Sequence, residues 1–103
     1  IVRFRIFDDE NWVMNQSLLD VSGSILSISQ FTLYADTRKG RRPSYIKALN
    51  GEEANTLYQL FNQKLRQFTI VEEGIFGADM KVDFINDGPV TIILEKEGDN
   101  NGK

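Results

Sequence analysis

Between Asn50 and Phe68 the chain carries its one long stretch of helical periodicity, and this stretch limits what the rest can be. Ala54, Leu57, Phe61, Leu65 and Phe68 recur at spacings of three or four residues, which places them along one stripe of an α-helix. Asn50-Gly51 supplies a start, and Glu52 and Glu53 suit the positive end of the helix dipole. The stripe is expected to face a core, since a lone amphipathic helix must bury it against another element.

The remainder reads as short strands and turns. Ile1 to Phe7 alternates in part and is expected to be a strand, followed by the turn residues Asp8-Asp9-Glu10-Asn11. Ser22-Gly23-Ser24 turns the chain into an apolar strand over Ile25 to Phe31, which could run on through Ala35. Asp36 to Ser44 is a loop broken by Gly40 and Pro43. Thr69-Ile70-Val71 is a short strand ending at Gly74, after a tight junction with Phe68. Ala78, Met80, Val82 and Phe84 alternate with Asp79, Lys81 and Asp83, the pattern of a half-buried strand. Asn86-Asp87-Gly88-Pro89 is a turn, and Val90 to Leu94 is a further strand. The expected fold class is α+β: a mostly antiparallel, barrel-like sheet core around one main helix.

The 103 residues suit a single domain. They begin inside a hydrophobic pattern without Met, so an N-terminal part of the fold is expected to be missing. Residues 96–103 are polar and Gly-rich and are expected to be a disordered tail. No apolar run reaches the roughly 20 residues that span a bilayer. With His 0 and Cys 0, a His-dependent triad, a His-ligated metal site and a thiolate nucleophile are excluded within this chain. Catalysis here must rest on hydroxyls, carboxylates, Lys, Tyr, backbone amides or groups of the substrate. A formal charge of −3 argues against nucleic-acid binding over the whole surface. Arg38, Lys39, Arg41 and Arg42 nevertheless fall within five positions, a local patch able to hold phosphates. Tyr34 and Tyr45 bracket it, as core residues or as stacking platforms.

Two other stretches could carry chemistry. Ser29, Gln30 and Thr32 put hydroxyl and amide groups into an apolar strand, and a buried polar group left unpaired costs about 1–3 kcal/mol. Strand alternation would place Gln30 and Thr32 on one face, with Ser29 and Phe31 on the other. The second stretch is Asn86 to Thr91. Asp-Gly is an ordinary hairpin signal, but X-Pro bonds are cis in about 5–6% of cases in folded proteins. A cis Gly88-Pro89 would set two carbonyl oxygens side by side, an acceptor pair for an ammonium group.

Together these stretches resemble one family, the D-aminoacyl-tRNA deacylases. The resemblance rests on Arg5-Ile6-Phe7, Met14-Asn15, Ser29-Gln30-Phe31-Thr32-Leu33-Tyr34-Ala35-Asp36, Arg38-Lys39-Gly40-Arg41-Arg42-Pro43-Ser44, Phe76-Gly77-Ala78-Asp79-Met80 and Asn86-Asp87-Gly88-Pro89-Val90-Thr91. It runs from Ile1 to about Leu94. In the family, the segment matching Ile1 to Arg5 resembles a helix end running into a strand.

The resemblance implies a cytoplasmic hydrolase that cleaves the ester between a D-amino acid and the 3′-terminal adenosine of tRNA, glycyl-tRNA included as an escaping substrate. It implies no cofactor and no metal. Thr32, Gln30 and Ser29 would line the reaction site, with backbone amides near Phe31 as an oxyanion hole. Gly88 and Pro89, cis and inserted into a partner subunit's pocket, would capture the amino group and reject L-aminoacyl-tRNA. Arg38, Lys39, Arg41 and Arg42 would grip the tRNA, and the protein would act as a homodimer with sites at the subunit interface. Two alternatives stand beside this one: a catalytically inactive RNA-binding or interaction module, and an inactive truncated fragment.

Overall fold

Asn50 starts the helix as its composition demands: its side-chain oxygen accepts a hydrogen bond from the Glu53 amide at 3.1 Å, satisfying one of the free donors of the first turn. The helix, α1, spans Gly51–Arg66, with Glu52 and Glu53 in its first turn and Lys64 and Arg66 in its last, both favourable to the dipole. The computed structural model describes residues 1–96. The tail expected to be disordered lies, from residue 97 onward, outside the described residues.

Four short strands accompany the helix. β1 (Phe7–Asp8) pairs antiparallel with β2 (Met14–Gln16) across a bulge. β3 (Ile25–Ser27) pairs parallel with β4 (Val71–Glu73), in the register Ile25 with Val71 and Ser27 with Glu73. The α+β class with one main helix therefore stands, built on two small open sheets rather than a barrel. A parallel pair requires a long crossover, and residues 28–70 supply it. The core is small: Val2, Leu65 and Val71 are buried, with Leu18, Leu19 and Ile25 packed against them.

Several elements differ from expectation. Ile1 to Ile6 turns instead of extending, with the Phe4 amide donating to the Ile1 carbonyl and the Ile6 amide to the Phe4 carbonyl, both at 3.1 Å. Only Phe7 and Asp8 join a ladder. The strand expected over Ile25 to Phe31 stops at Ser27, because its partner strand ends at Glu73 and the last bond across is from the Gly74 amide to the Ser27 carbonyl at 3.2 Å. The strand expected at Thr69 begins at Val71 instead. The tight junction before it is held locally, with the Phe68 and Thr69 amides both bonded to the Leu65 carbonyl and the Thr69 hydroxyl to the Gly23 carbonyl. No strand forms over Ala78 to Phe84 or Val90 to Leu94. Alternation sets which side chains share a face, but a ladder also needs a neighbour about 4.8 Å away, and none runs beside these residues within the described chain.

Much apolar surface stays open as a result. Phe84, Ile85, Ile92 and Ile93 are exposed, Ile85 at 93%. The radius of gyration is 16.4 Å, against about 13 Å for a closely packed chain of 100 residues. The helix stripe is likewise only partly core. Leu65 is buried, whereas Leu57, Phe61 and Phe68 are exposed at 59%, 43% and 49%. None of the described helices is long and apolar enough to cross a membrane.

Candidate active site

The crossover from β3 to β4 houses the candidate site. Beyond Ser27 the backbone leaves the ladder, Gln30 stays extended, and Phe31–Tyr34 closes into a single 3-10 helix. The Leu33 amide bonds the Gln30 carbonyl at 3.4 Å and the Ala35 amide the Thr32 carbonyl at 3.2 Å. A local side-chain bond favours this turn over an extended strand: the Gln30 side-chain amide donates to the Thr32 hydroxyl. Side chains two apart on a strand sit about 7 Å from each other, so curling is what lets these two meet. The expected two-faced strand is thus corrected. Gln30 and Thr32 do come together, through the turn.

Below the turn lies a cleft of about 1180 Å³. Ser29, Gln30 and Phe31 form one wall and Ala54, Leu57, Tyr58 and Phe61 of α1 the other, with Phe76, Ala78 and Met80 closing the end. The helix stripe read as core is therefore divided, its first half lining the cleft and Leu65 entering the core. Periodicity alone does not separate these fates, since a cleft wall and a core face both select apolar residues. Two aromatic contacts shape the cleft. Phe31 meets Tyr45 edge-on, with centroids 5.0 Å apart, and Tyr58 tilts against Phe76 at 6.0 Å. Gly74 allows Met80 to approach closely, for a Cβ there would sit 2.6 Å from the Met80 sulfur.

The first amides of the 3-10 helix, those of Phe31 and Thr32, precede any carbonyl of the turn that could accept from them. Of the two residues, Phe31 lines the cleft. Thr32 is half-buried and does not line the cleft itself. Its hydroxyl oxygen is occupied by the donor from Gln30, so its own proton is free to donate elsewhere.

The other two expected groups lie apart from this cleft. The Gly88–Pro89 peptide is cis, and Gly88 has φ +119, a region natural only to glycine. Neither residue lines the cleft of its own chain. The basic loop leaves from the end of the 3-10 helix. Asp36 and Ser44 close its neck with two backbone bonds of 2.7 and 2.8 Å. Arg38 folds back on Asp36, its Nε and terminal nitrogen reaching the two carboxylate oxygens at 3.0 and 2.7 Å. This pair holds the Asp36 carboxyl below the usual carboxylate range and raises Arg38. Lys39, Arg41 and Arg42 are exposed on the loop.

One turn beyond Tyr58, a polar group ties α1 to the sheet. Asn62, 0% exposed, donates to the Glu73 carboxylate at 2.8 Å, and Arg66 reaches the same oxygen at 3.0 Å. The side-chain oxygen of Asn62 has no partner. Asn62 stands four residues after Tyr58 and three before Leu65, so its spacing puts it beside the buried stripe, while its polar side chain suggests a solvent-facing residue.

Comparison with known proteins agrees with this fold. A solved structure described as c-Myc DNA Unwinding Element Binding Protein is 38% identical and superposes with a TM-score of 0.84. That match covers 95% of this chain and 68% of the other. The family described as D-Tyr-tRNA(Tyr) deacylase matches residues 1–95, a span that takes in the Ser29–Thr32 turn, the basic loop and Gly88-Pro89. With nearly the whole chain matched, the protein belongs to the D-Tyr-tRNA(Tyr) deacylase family.

Proposed function

We propose that this chain hydrolyses the ester of D-aminoacyl-tRNA, and of glycyl-tRNA, in the cytoplasm as a single-domain homodimer. The observation that carries the reading is the family match over residues 1–95, joined to a cleft whose polar wall is Ser29, Gln30 and the Phe31 amide. An aminoacyl ester is already activated, so a site without His can suffice. The attacking group is water, assisted by the neighbouring ribose hydroxyl of the substrate. As the ester carbonyl becomes tetrahedral, its oxygen takes negative charge, and the free amides of Phe31 and Thr32 are the donors to meet it.

Thr32 positions rather than attacks. A hydroxyl becomes a strong nucleophile when a base takes its proton, and the group bonded to this one is the neutral side-chain amide of Gln30, which is no base. Gly88 and Pro89 capture the amino group from the partner subunit and exclude an L side chain, a division of labour consistent with their distance from their own cleft. The exposed apolar residues Phe84, Ile85, Ile92 and Ile93 support a second copy as their cover. Lys39, Arg41 and Arg42 on the basic loop take the phosphates near the 3′ end.

The test is release of amino acid from D- and L-aminoacyl-tRNA by the purified chain. Release from the D form alone is expected; release from neither, or from both equally, defeats the reading. The name of the 38%-identical structure favours a second reading, nucleic-acid binding without turnover. Its result in the same assay would be retained tRNA binding with no release.

A further inference from the structure

Four cations crowd the loop between Asp36 and Ser44, but the structure does not treat them alike. Asp36 receives three bonds from Arg38: its amide and Nε reach one carboxylate oxygen, both at 3.0 Å, and a terminal nitrogen reaches the other at 2.7 Å. The same Asp36 closes the neck through its backbone, donating to the Ser44 carbonyl and accepting from the Ser44 amide. One residue therefore fixes the loop by main chain and side chain together. Gly40, at φ +147 with open space around it, forms the tip. On leaving the neck the chain places Tyr45 edge-on against Phe31.

We infer that Asp36 and Arg38 form an internal brace of this loop, that Arg38 is not a phosphate contact, and that of the loop's four cations Lys39, Arg41 and Arg42 present charge to RNA. A bidentate guanidinium–carboxylate pair has its charge cancelled at short range. Its partner is only two residues away, so forming it closes almost no chain. The brace serves the reaction as well as the loop, because the neck it holds leads on one side to the Thr32 turn and on the other to Tyr45. Asp36 and Arg38 are thus positioning residues. The inference rests on the reading of the loop as the RNA grip and divides its members.

Salt dependence separates a phosphate contact from a brace. Each phosphate neutralised adds about 0.7–0.9 to the slope of log affinity against log salt concentration, whereas a brace changes affinity by the same factor at every salt. The experiment is a salt titration of uncharged, fluorescently labelled tRNA binding to the full chain and its variants. Arg41→Gln is expected to make the slope shallower by about 0.7–0.9. Arg38→Gln is expected to weaken binding several-fold with the slope unchanged. Asp36→Asn, which releases the Arg38 charge, is expected to steepen the slope. A slope as shallow in Arg38→Gln as in Arg41→Gln overturns the brace and leaves the RNA grip standing, as does an unaltered slope in Asp36→Asn. If Lys39→Gln, Arg41→Gln and Arg42→Gln all leave the slope unchanged, the loop does not grip RNA at all and the inference falls with that reading.

Discussion

The Tyr58 hydroxyl donates to the Ser27 carbonyl at 2.7 Å, pinning the middle of α1 to the last residue of β3. It does so at the point where the chain leaves the sheet for the candidate site. The same carbonyl also accepts from the Gly74 amide at 3.2 Å. Tyr58→Phe therefore removes one bond without orphaning its acceptor, and the expected cost is the smaller figure, about 0.5–1.5 kcal/mol. Urea unfolding reads this directly; a loss above about 3 kcal/mol would show that the hydroxyl does more.

Asn62 presents the opposite balance. Its side chain is fully buried with an unpartnered oxygen, a group that costs about 1–3 kcal/mol to leave unmade. Its one bond goes to Glu73, which keeps Arg66 as a second partner. Asn62→Leu, near in size and apolar, is expected to leave stability unchanged or raise it, as a shift of the thermal midpoint. A drop of several degrees would mean that the oxygen is satisfied in solution.

Thr32→Ala tests the positioning role. Loss of one hydrogen bond to the substrate corresponds to about 1–3 kcal/mol, or roughly five- to 160-fold in kcat/KM, and Thr32→Ser should restore most of it. A loss beyond roughly 10⁴-fold, unrecovered by serine, would identify Thr32 as the nucleophile instead.

Gly88 sits at φ +119, and a Cβ there would lie 3.2 Å from the Val90 backbone nitrogen. That neighbour is main chain and cannot swing aside. Gly88→Ala is expected to cost about 1 kcal/mol or more and to change D-substrate turnover or its ratio to L. Kinetics on both substrates unchanged from the parent chain would remove Gly88 from the account of selection.

Acid should weaken the fold. The carboxyls of Asp9, Asp20, Asp36 and Glu73 all lie below their ordinary values. The leading causes are the Val13 amide, the Ser17 amide, the Arg38 side chain and the Arg66 side chain respectively. A carboxyl lowered in the folded state stabilises it fully above the unfolded pKa, about 4, and that gain disappears as pH falls through the folded pKa. The urea midpoint should therefore hold from neutral pH to about 5 and decline below 4. Asp20→Asn should flatten part of that decline, and a midpoint level down to pH 2 would contradict the prediction.

How much of this was legible depended on whether a signal is local. The helix was: Asn50, the glutamates and the stripe all act within a few residues of themselves, and α1 begins where they place it. The loop between Asp36 and Ser44 was also legible, because Gly40 and Pro43 break structure wherever they stand. Strand extents were not. Ile28 to Phe31 looks extended, but its conformation follows from where β4 ends, information held by Gly74 more than forty positions away. The same holds for Val82 and Phe84, whose alternation specifies faces but not a neighbour. Within the site, residue types and spacing singled out Gln30 and Thr32, while their hydrogen bond follows from the turn. The meeting of Tyr58, Phe76 and Met80 around one cleft needed the folded chain.

The neck at Asp36 and Ser44 also bears on how this protein can change length. The ends of the basic loop are joined by their own two backbone bonds, so residues added near Gly40 do not alter the span that the rest of the crossover must bridge. Loop closure grows slowly with length, about 0.6 kcal/mol for each doubling. Insertions and deletions at the tip are thus nearly invisible to the β3–β4 pairing. The charge offered at that tip can be lengthened, shortened or redistributed among related sequences while the turn bearing Thr32 stays in place.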